Sequence, residues 1–125
     1  VVKCRPPGNR DPLPEELSAC APYLDRQLQI INPKVILTLG RYSMARFIPN
    51  AKISEIHGQP VKVKGMLVVP FYHPAAALHR PSLRSVVEED FARLPEHIQG
   101  AGKAPAYIPE TPLDEDNHPE QLSMF

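Results

Sequence analysis

An α/β fold built around a parallel sheet is the architecture this sequence predicts, and three observations predict it. Two short β-rich runs, Lys34 to Leu39 (KVILTL) and Met66 to Phe71 (MLVVPF), have hardly any polar face, as strands buried on both sides do. Gly40 follows the first run and leads straight into a helical segment, a strand-turn-helix joint. Segments with apolar residues at helical spacing flank both runs, so each strand has helices available to cover it.

Val1 to Cys4 reads as the end of a strand, and Arg5 to Pro14, with four prolines, Gly8 and Asn9, reads as a constrained loop. Pro14-Glu15-Glu16 opens a helix, with Pro in the first turn and acids at its positive end. Leu17, Cys20, Ala21, Leu24, Leu28 and Ile31 form its apolar stripe. Pro22 interrupts that stripe and predicts a kink or restart near Cys20, turning the sulfur towards the loop that carries Cys4. Asn32-Pro33 ends the helix, and Lys34 to Leu39 follows as a central strand. Arg41 to Ile48 is a short helix with Met44, Phe47 and Ile48 facing inward, stopped before Pro49. Val61 to Val63 and Met66 to Val69 pair as a hairpin around Lys64-Gly65, with Lys62 and Lys64 on one side. His57, beside Gly58, reads as a loop residue rather than a ligand, and no HxH or CxxC spacing supports zinc. Ser82 is expected to cap a helix carrying Val86, Val87, Phe91 and Leu94 inward as far as Pro95.

With 125 residues, 42% of them hydrophobic, the chain suits one domain, expected over residues 1–99, followed by a tail over 100–125. No apolar run approaches the roughly 20 residues of a membrane span, so no membrane association is expected. The opening VVKC lacks a starting Met, and the chain is expected to be a fragment missing its amino-terminal part. The zero net charge averages two unlike halves. Residues 1–100 hold 13 Lys and Arg against 9 Asp and Glu, and the rest hold one Lys against five acids. The basic body is compatible with a polyanion, whereas the Gly-, Pro- and acid-rich tail has no apolar periodicity and is expected to be disordered. The tail ends in Gln121-Leu122-Ser123-Met124-Phe125, which resembles the short motif by which bacterial replication and repair proteins bind the sliding clamp. Gln121 would hydrogen-bond, and Leu122, Met124 and Phe125 would fill an apolar pocket.

The most chemically suggestive run is Phe71-Tyr72-His73-Pro74-Ala75-Ala76-Ala77-Leu78-His79-Arg80-Pro81. It sets His73 just beyond the carboxyl end of a buried strand, where parallel sheets hold their ligands, and Pro74 stiffens the backbone behind it. Ala75, Ala76, Ala77 and Leu78 form an apolar lip suited to wedging into a duplex, with His79, Arg80 and Arg84 offering donors to phosphate. Arg41, after Gly40, either contacts a phosphate or belongs to a plain strand-helix connection. Cys4 and Cys20 are either two buried thiols or two of the soft ligands an iron-sulfur centre requires.

VVKCRPPGNRDP and FYHPAAALHRP, in that order and with a second cysteine between them, resemble the iron-sulfur (family 4) uracil-DNA glycosylases, over Val1 to about His97. Family 5 enzymes carry a different sequence after their HP, so HPAAALHRP favours family 4. The resemblance implies the superfamily's parallel-sheet sandwich, truncated at its amino terminus. It also implies a monomeric, cytoplasmic, nucleoid-associated base-excision hydrolase acting on uracil-containing DNA. It assigns His73 as donor to the departing uracil and Leu78 as DNA wedge, with Ala77 as the neighbouring candidate. Pro74, His79, Arg80, Arg84 and Arg41 join them at the DNA. Cys4 and Cys20 become two of the four ligands of a [4Fe-4S] cluster. The family's acid-bearing loop, its uracil-stacking aromatic and the Asn preceding VVKC are not among these residues, so the chain by itself is expected not to excise uracil. A non-catalytic DNA- or clamp-binding module of the same fold is the alternative. A metabolic α/β enzyme using His73 on a small molecule is the third class.

Overall fold

The structure, a computed structural model, describes residues 1–102 and Tyr107. Its sheet has three strands, β1 (Val35–Leu39), β2 (Val61–Val63) and β3 (Met66–Phe71), in the order β1-β3-β2. β3 pairs parallel with β1, Val35 opposite Leu67 through Leu39 opposite Phe71, and antiparallel with β2. The hairpin between β2 and β3 turns on Lys64 (φ 49°) and Gly65 (φ 82°), two left-handed residues in succession as a two-residue turn requires. β3 is the central strand, and among the described residues β1 lies at the edge. The expected central position of Lys34 to Leu39 is therefore corrected: strand order depends on distant pairings that the apolar run does not encode.

Helices cover both faces. The first face gathers Ile36, Met66 and Val68 with Leu28 of α1 (Pro14–Ile31) and Phe47 of α2 (Arg41–Phe47). On the other face Phe71 meets Phe91 of α5 (Arg84–Gly100) edge-on, ring centroids 4.7 Å apart. Two short helices, α3 (Ile53–Ile56) and α4 (Pro74–His79), flank β2 and β3 in the chain. Met44 of α2 is buried, and Phe47 and Ile48 pack against the core cluster, as their spacing predicts.

Several expectations need correction. Val1 to Cys4 is not a strand; the Lys3 amide donates to Cys20 Sγ at 3.4 Å instead of joining a ladder. The loop after it contains a 3-10 turn over Pro7–Asn9. α1 runs unbroken through Pro22, which sits on an exposed face where water can take the carbonyl that its missing N–H leaves free. Asn32, left-handed at φ 46°, ends α1 as expected. Ser82 caps nothing: it lies in a 3-10 turn, Pro81–Leu83, and Leu83 precedes α5 without a side-chain cap. α5 passes through Pro95 to Gly100, its last turns held by His97, whose Nε2 lies 3.1 Å from the Gly58 carbonyl oxygen. Tyr107, placed in the tail by sequence, is 7% exposed and belongs to the core. Its hydroxyl donates to Asp25 Oδ1 at 2.6 Å and its amide to Asn32 Oδ1 at 3.1 Å.

Candidate functional site

Strands β1 and β3 end side by side. The Gly40 amide donates to the Phe71 carbonyl at 2.9 Å, and a Cβ on Gly40 would stand 3.4 Å from that of His73. His73 is thus exposed at the carboxyl ends of two adjoining parallel strands. It is extended (φ −62°, ψ 133°), as the residue before a proline prefers, and caps α4 with Pro74 in the first turn. Its Nδ1 accepts the Ala75 amide proton at 3.1 Å. An amide can only donate, so Nδ1 presents its lone pair, and the neutral ring carries its proton on Nε2.

Beyond His73, Ala75, Ala76 and Ala77 are half-buried, while Leu78 is 82% exposed, an unusual position for a large aliphatic side chain. His79 and Arg80 follow, both exposed, and Arg80 is the C-cap of α4. Pro74, Ala77, Leu78, His79 and Arg80 therefore share one short helix and its end. Arg84, at the start of α5, pairs with Glu88 at 2.9 Å. Arg41 pairs with Asp11 at 2.8 Å and lies over the Tyr42 ring, 4.9 Å from its centroid. Both ion pairs are largely exposed, so exchanging their carboxylates for a phosphate costs little.

Cys4 is exposed on the amino-terminal loop and Cys20 half-buried on α1. The Lys3 amide bond to Cys20 Sγ, with Lys3 Nζ donating to Gln27 Oε1 at 2.7 Å, brings the loop against the helix at these cysteines. No group of three or more His, Cys, Asp or Glu that could hold a metal ion occurs among the described residues. Gln121, Leu122, Met124 and Phe125 lie outside the described residues. An apolar cavity of about 150 Å³ opens between α1 and α2, lined by Val1, Leu17, Leu24, Tyr42 and Arg46 among others. None of its lining residues belongs to β3 or α4, so it is separate from His73.

Beside the His73 segment, His57, expected to be a plain loop residue, forms a pair with a buried carboxylate. His57 Nδ1 lies 2.7 Å from Oδ2 of Asp90, whose side chain is 6% exposed, and the His57 ring meets that of Tyr72 at 5.1 Å. The signal was present: Asp90 falls on the apolar stripe of Val86, Val87 and Leu94, and a carboxylate there must find a partner. Nothing in the sequence named His57 as that partner.

A family model described as the uracil DNA glycosylase superfamily matches residues 1–94. The type-4 uracil-DNA glycosylase of Sulfurisphaera tokodaii is 49% identical over 105 residues, covering 77% of this chain and 48% of that protein. Those of Saccharolobus solfataricus and Archaeoglobus fulgidus are 46% and 47% identical, covering 78% and 77% of this chain and 50% and 53% of their own lengths. The chain thus spans about half the length of the curated relatives it matches. With most of the described fold inside the matched region, the chain belongs to the uracil DNA glycosylase superfamily.

Proposed function

We propose that this chain carries the leaving-group side of a uracil-excising DNA glycosylase of the type-4 kind, the name its relatives bear. The observation that carries the reading is the state of His73: exposed at two strand ends, Nδ1 committed to the Ala75 amide, Nε2 left to donate. Cleaving an N-glycosidic bond leaves charge on a uracil oxygen, and a preoriented neutral donor stabilises that charge as it develops. Leu78, at 82% the most exposed large hydrophobic side chain among the described residues, is suited to fill the gap left by an extruded nucleotide, with Ala77 behind it. Pro74 holds the turn, and His79, Arg80, Arg84 and Arg41 reach the phosphates on either side. In this reading the protein works on DNA at the nucleoid, in the cytoplasm. The test is uracil release from a labelled single-stranded oligonucleotide by the protein as its gene encodes it. His73→Ala should slow release about 10²- to 10³-fold with DNA binding retained. Release at the wild-type rate would remove His73 from the chemistry, and a wild-type protein that binds DNA without releasing uracil would be a binding module instead.

Cys4 and Cys20 fit two corners of a [4Fe-4S] cluster, since a loop and a helix converge on them and Cys20 Sγ already accepts a backbone N–H, as cluster thiolates do. Bound there, the cluster would cross-link loop to helix. Cys4→Ser should lower the protein's iron content and bleach its visible absorbance; an unchanged spectrum would exclude Cys4 as a ligand. The terminal Gln121-Leu122-Ser123-Met124-Phe125 is a sliding-clamp peptide in this reading.

A further inference from the structure

We infer that His57 and Asp90 form a positioning device for His73, acting through the Tyr72 ring; the inference deepens the proposed reading of His73 and rests on it. The device is built from the inside outward. Asp90 projects from α5 into the interior, 4% exposed, where an unpartnered carboxylate would be costly. His57 Nδ1 meets it at 2.7 Å, which fixes the imidazole in the manner of an Asp-oriented histidine.

Gly58 locks the arrangement. Its φ is +70°, and a Cβ there would lie 2.2 Å from Asp90 Oδ1, so the residue must be glycine for His57 to reach the carboxylate. The Gly58 amide donates to the Pro70 carbonyl of β3 at 2.8 Å, and its own carbonyl oxygen lies 3.1 Å from His97 Nε2. Three elements, the loop after α3, strand β3 and helix α5, are therefore tied together within two residues.

That much would stabilise the fold without regard to chemistry. What points to His73 is where the imidazole is spent: its ring packs on Tyr72, centroids 5.1 Å apart and planes tilted by 39°. Tyr72 directly precedes His73, and the two share a peptide plane. Holding the Tyr72 ring fixes that plane from one side, while Pro74 and the bond from Ala75 to Nδ1 fix His73 from the other. A hydrogen-bond donor aimed at a developing charge needs such rigidity, because a displacement of about 1 Å costs about a hundredfold in rate.

The test compares His57→Asn, whose amide can still donate to Asp90 but offers no ring, with Tyr72→Leu, Tyr72→Phe and the double variant His57→Asn/Tyr72→Leu. Single-turnover uracil release and DNA affinity are measured separately in the protein as its gene encodes it. His57→Asn and Tyr72→Leu should each slow release about ten- to a hundredfold with affinity within about twofold, a loss in kcat rather than KM. Tyr72→Phe, which keeps the ring, should restore the rate, and the double variant should be no slower than the worse single one. Wild-type release by His57→Asn, or losses that multiply in the double variant, would overturn the inference while leaving uracil excision standing. Should the wild-type protein release no uracil, the functional reading falls, and the device is judged by the Ala75 amide bonded to His73. Faster hydrogen exchange there in both ring-deleting variants supports it, and an unchanged amide sinks it. If His57→Asn does not fold, the contrast between Tyr72→Leu and Tyr72→Phe decides alone.

Discussion

Asp25 is a fully buried carboxylate on a helix whose other inward residues are apolar, and its surroundings explain how it is tolerated. Arg46 of α2 reaches Oδ1 at 2.7 Å and Tyr107 donates its hydroxyl to the same atom at 2.6 Å. Removing the carboxylate takes a charged partner from a guanidinium that is only 17% exposed, and breaking such a pair from one side costs about 3–5 kcal/mol. Asp25→Ala should therefore lower the unfolding free energy read from urea denaturation by an amount of that order. A change within about 0.5 kcal/mol, the scale of an ordinary surface substitution, would contradict it. Both buried aspartates can be spotted from the sequence, because each sits at a spacing of three or four from the apolar residues of its helix. Their partners cannot: Arg46 lies 21 residues from Asp25, and His57 lies 33 from Asp90. The place of His73 at a strand end was readable because its cues are local, namely a buried strand before it and a proline after it.

Elements follow the same division between local and distant forces. The two strands of the parallel pair and the hairpin turn were readable, since apolar runs and a Lys-Gly turn act over a few residues. The two prolines inside helices were not: the sequence suggests a kink or restart at Pro22 and a stop at Pro95, whereas both helices run on. Pro22 and Pro95 each forfeit one backbone hydrogen bond, yet packing of Leu28 on one face and of Phe91 against Phe71 on the other keeps both helices continuous. The loop before α1 is held by a different force. Both terminal guanidinium nitrogens of Arg10 donate to Glu16, at 2.6 and 2.9 Å, and the Leu13 amide donates to the same carboxylate at 2.8 Å. The Arg10 hydrogen bond, then that of the Leu13 amide, hold the Glu16 carboxyl down to about 2. A carboxyl lowered on folding stabilises the native state fully above its ordinary value of 4.5, and that contribution fades as pH falls towards 2. A carboxyl-resolved NMR titration should place the Glu16 midpoint near 2, and Glu16→Gln should flatten the loss of stability between pH 4.5 and 2. An ordinary midpoint, with acid unfolding unaltered in the variant, would show that the Arg10 contact does not persist in solution.

At the scale of the molecule, the two ends of the sheet carry different tasks. His73 stands at the carboxyl ends of β1 and β3, whereas Tyr107 is fastened to Asn32, just before β1 begins. A five-residue strand separates these places by roughly 17 Å at about 3.3 Å per residue. Tyr107 and His73 therefore lie at opposite ends of the sheet. The composition change near residue 100 suggested that the folded domain stops there. It concealed Tyr107 because a lone aromatic in a Pro- and Gly-rich stretch has no periodicity to betray its burial. Two truncations separate the fold from its appendage: one ending after residue 102, which loses Tyr107, and one ending after Tyr107 itself. Burying the phenol ring and satisfying Asp25 together contribute about 2–4 kcal/mol, so the unfolding free energy of the shorter protein in urea should be lower by that margin while the longer one matches the intact chain. If the terminal peptide binds a sliding clamp as proposed, the intact chain should associate with it and both truncations should not, because both lack Gln121 to Phe125. Equal stability of the two truncations would remove Tyr107 from the core, and clamp binding by either one would remove the terminal peptide from that interaction.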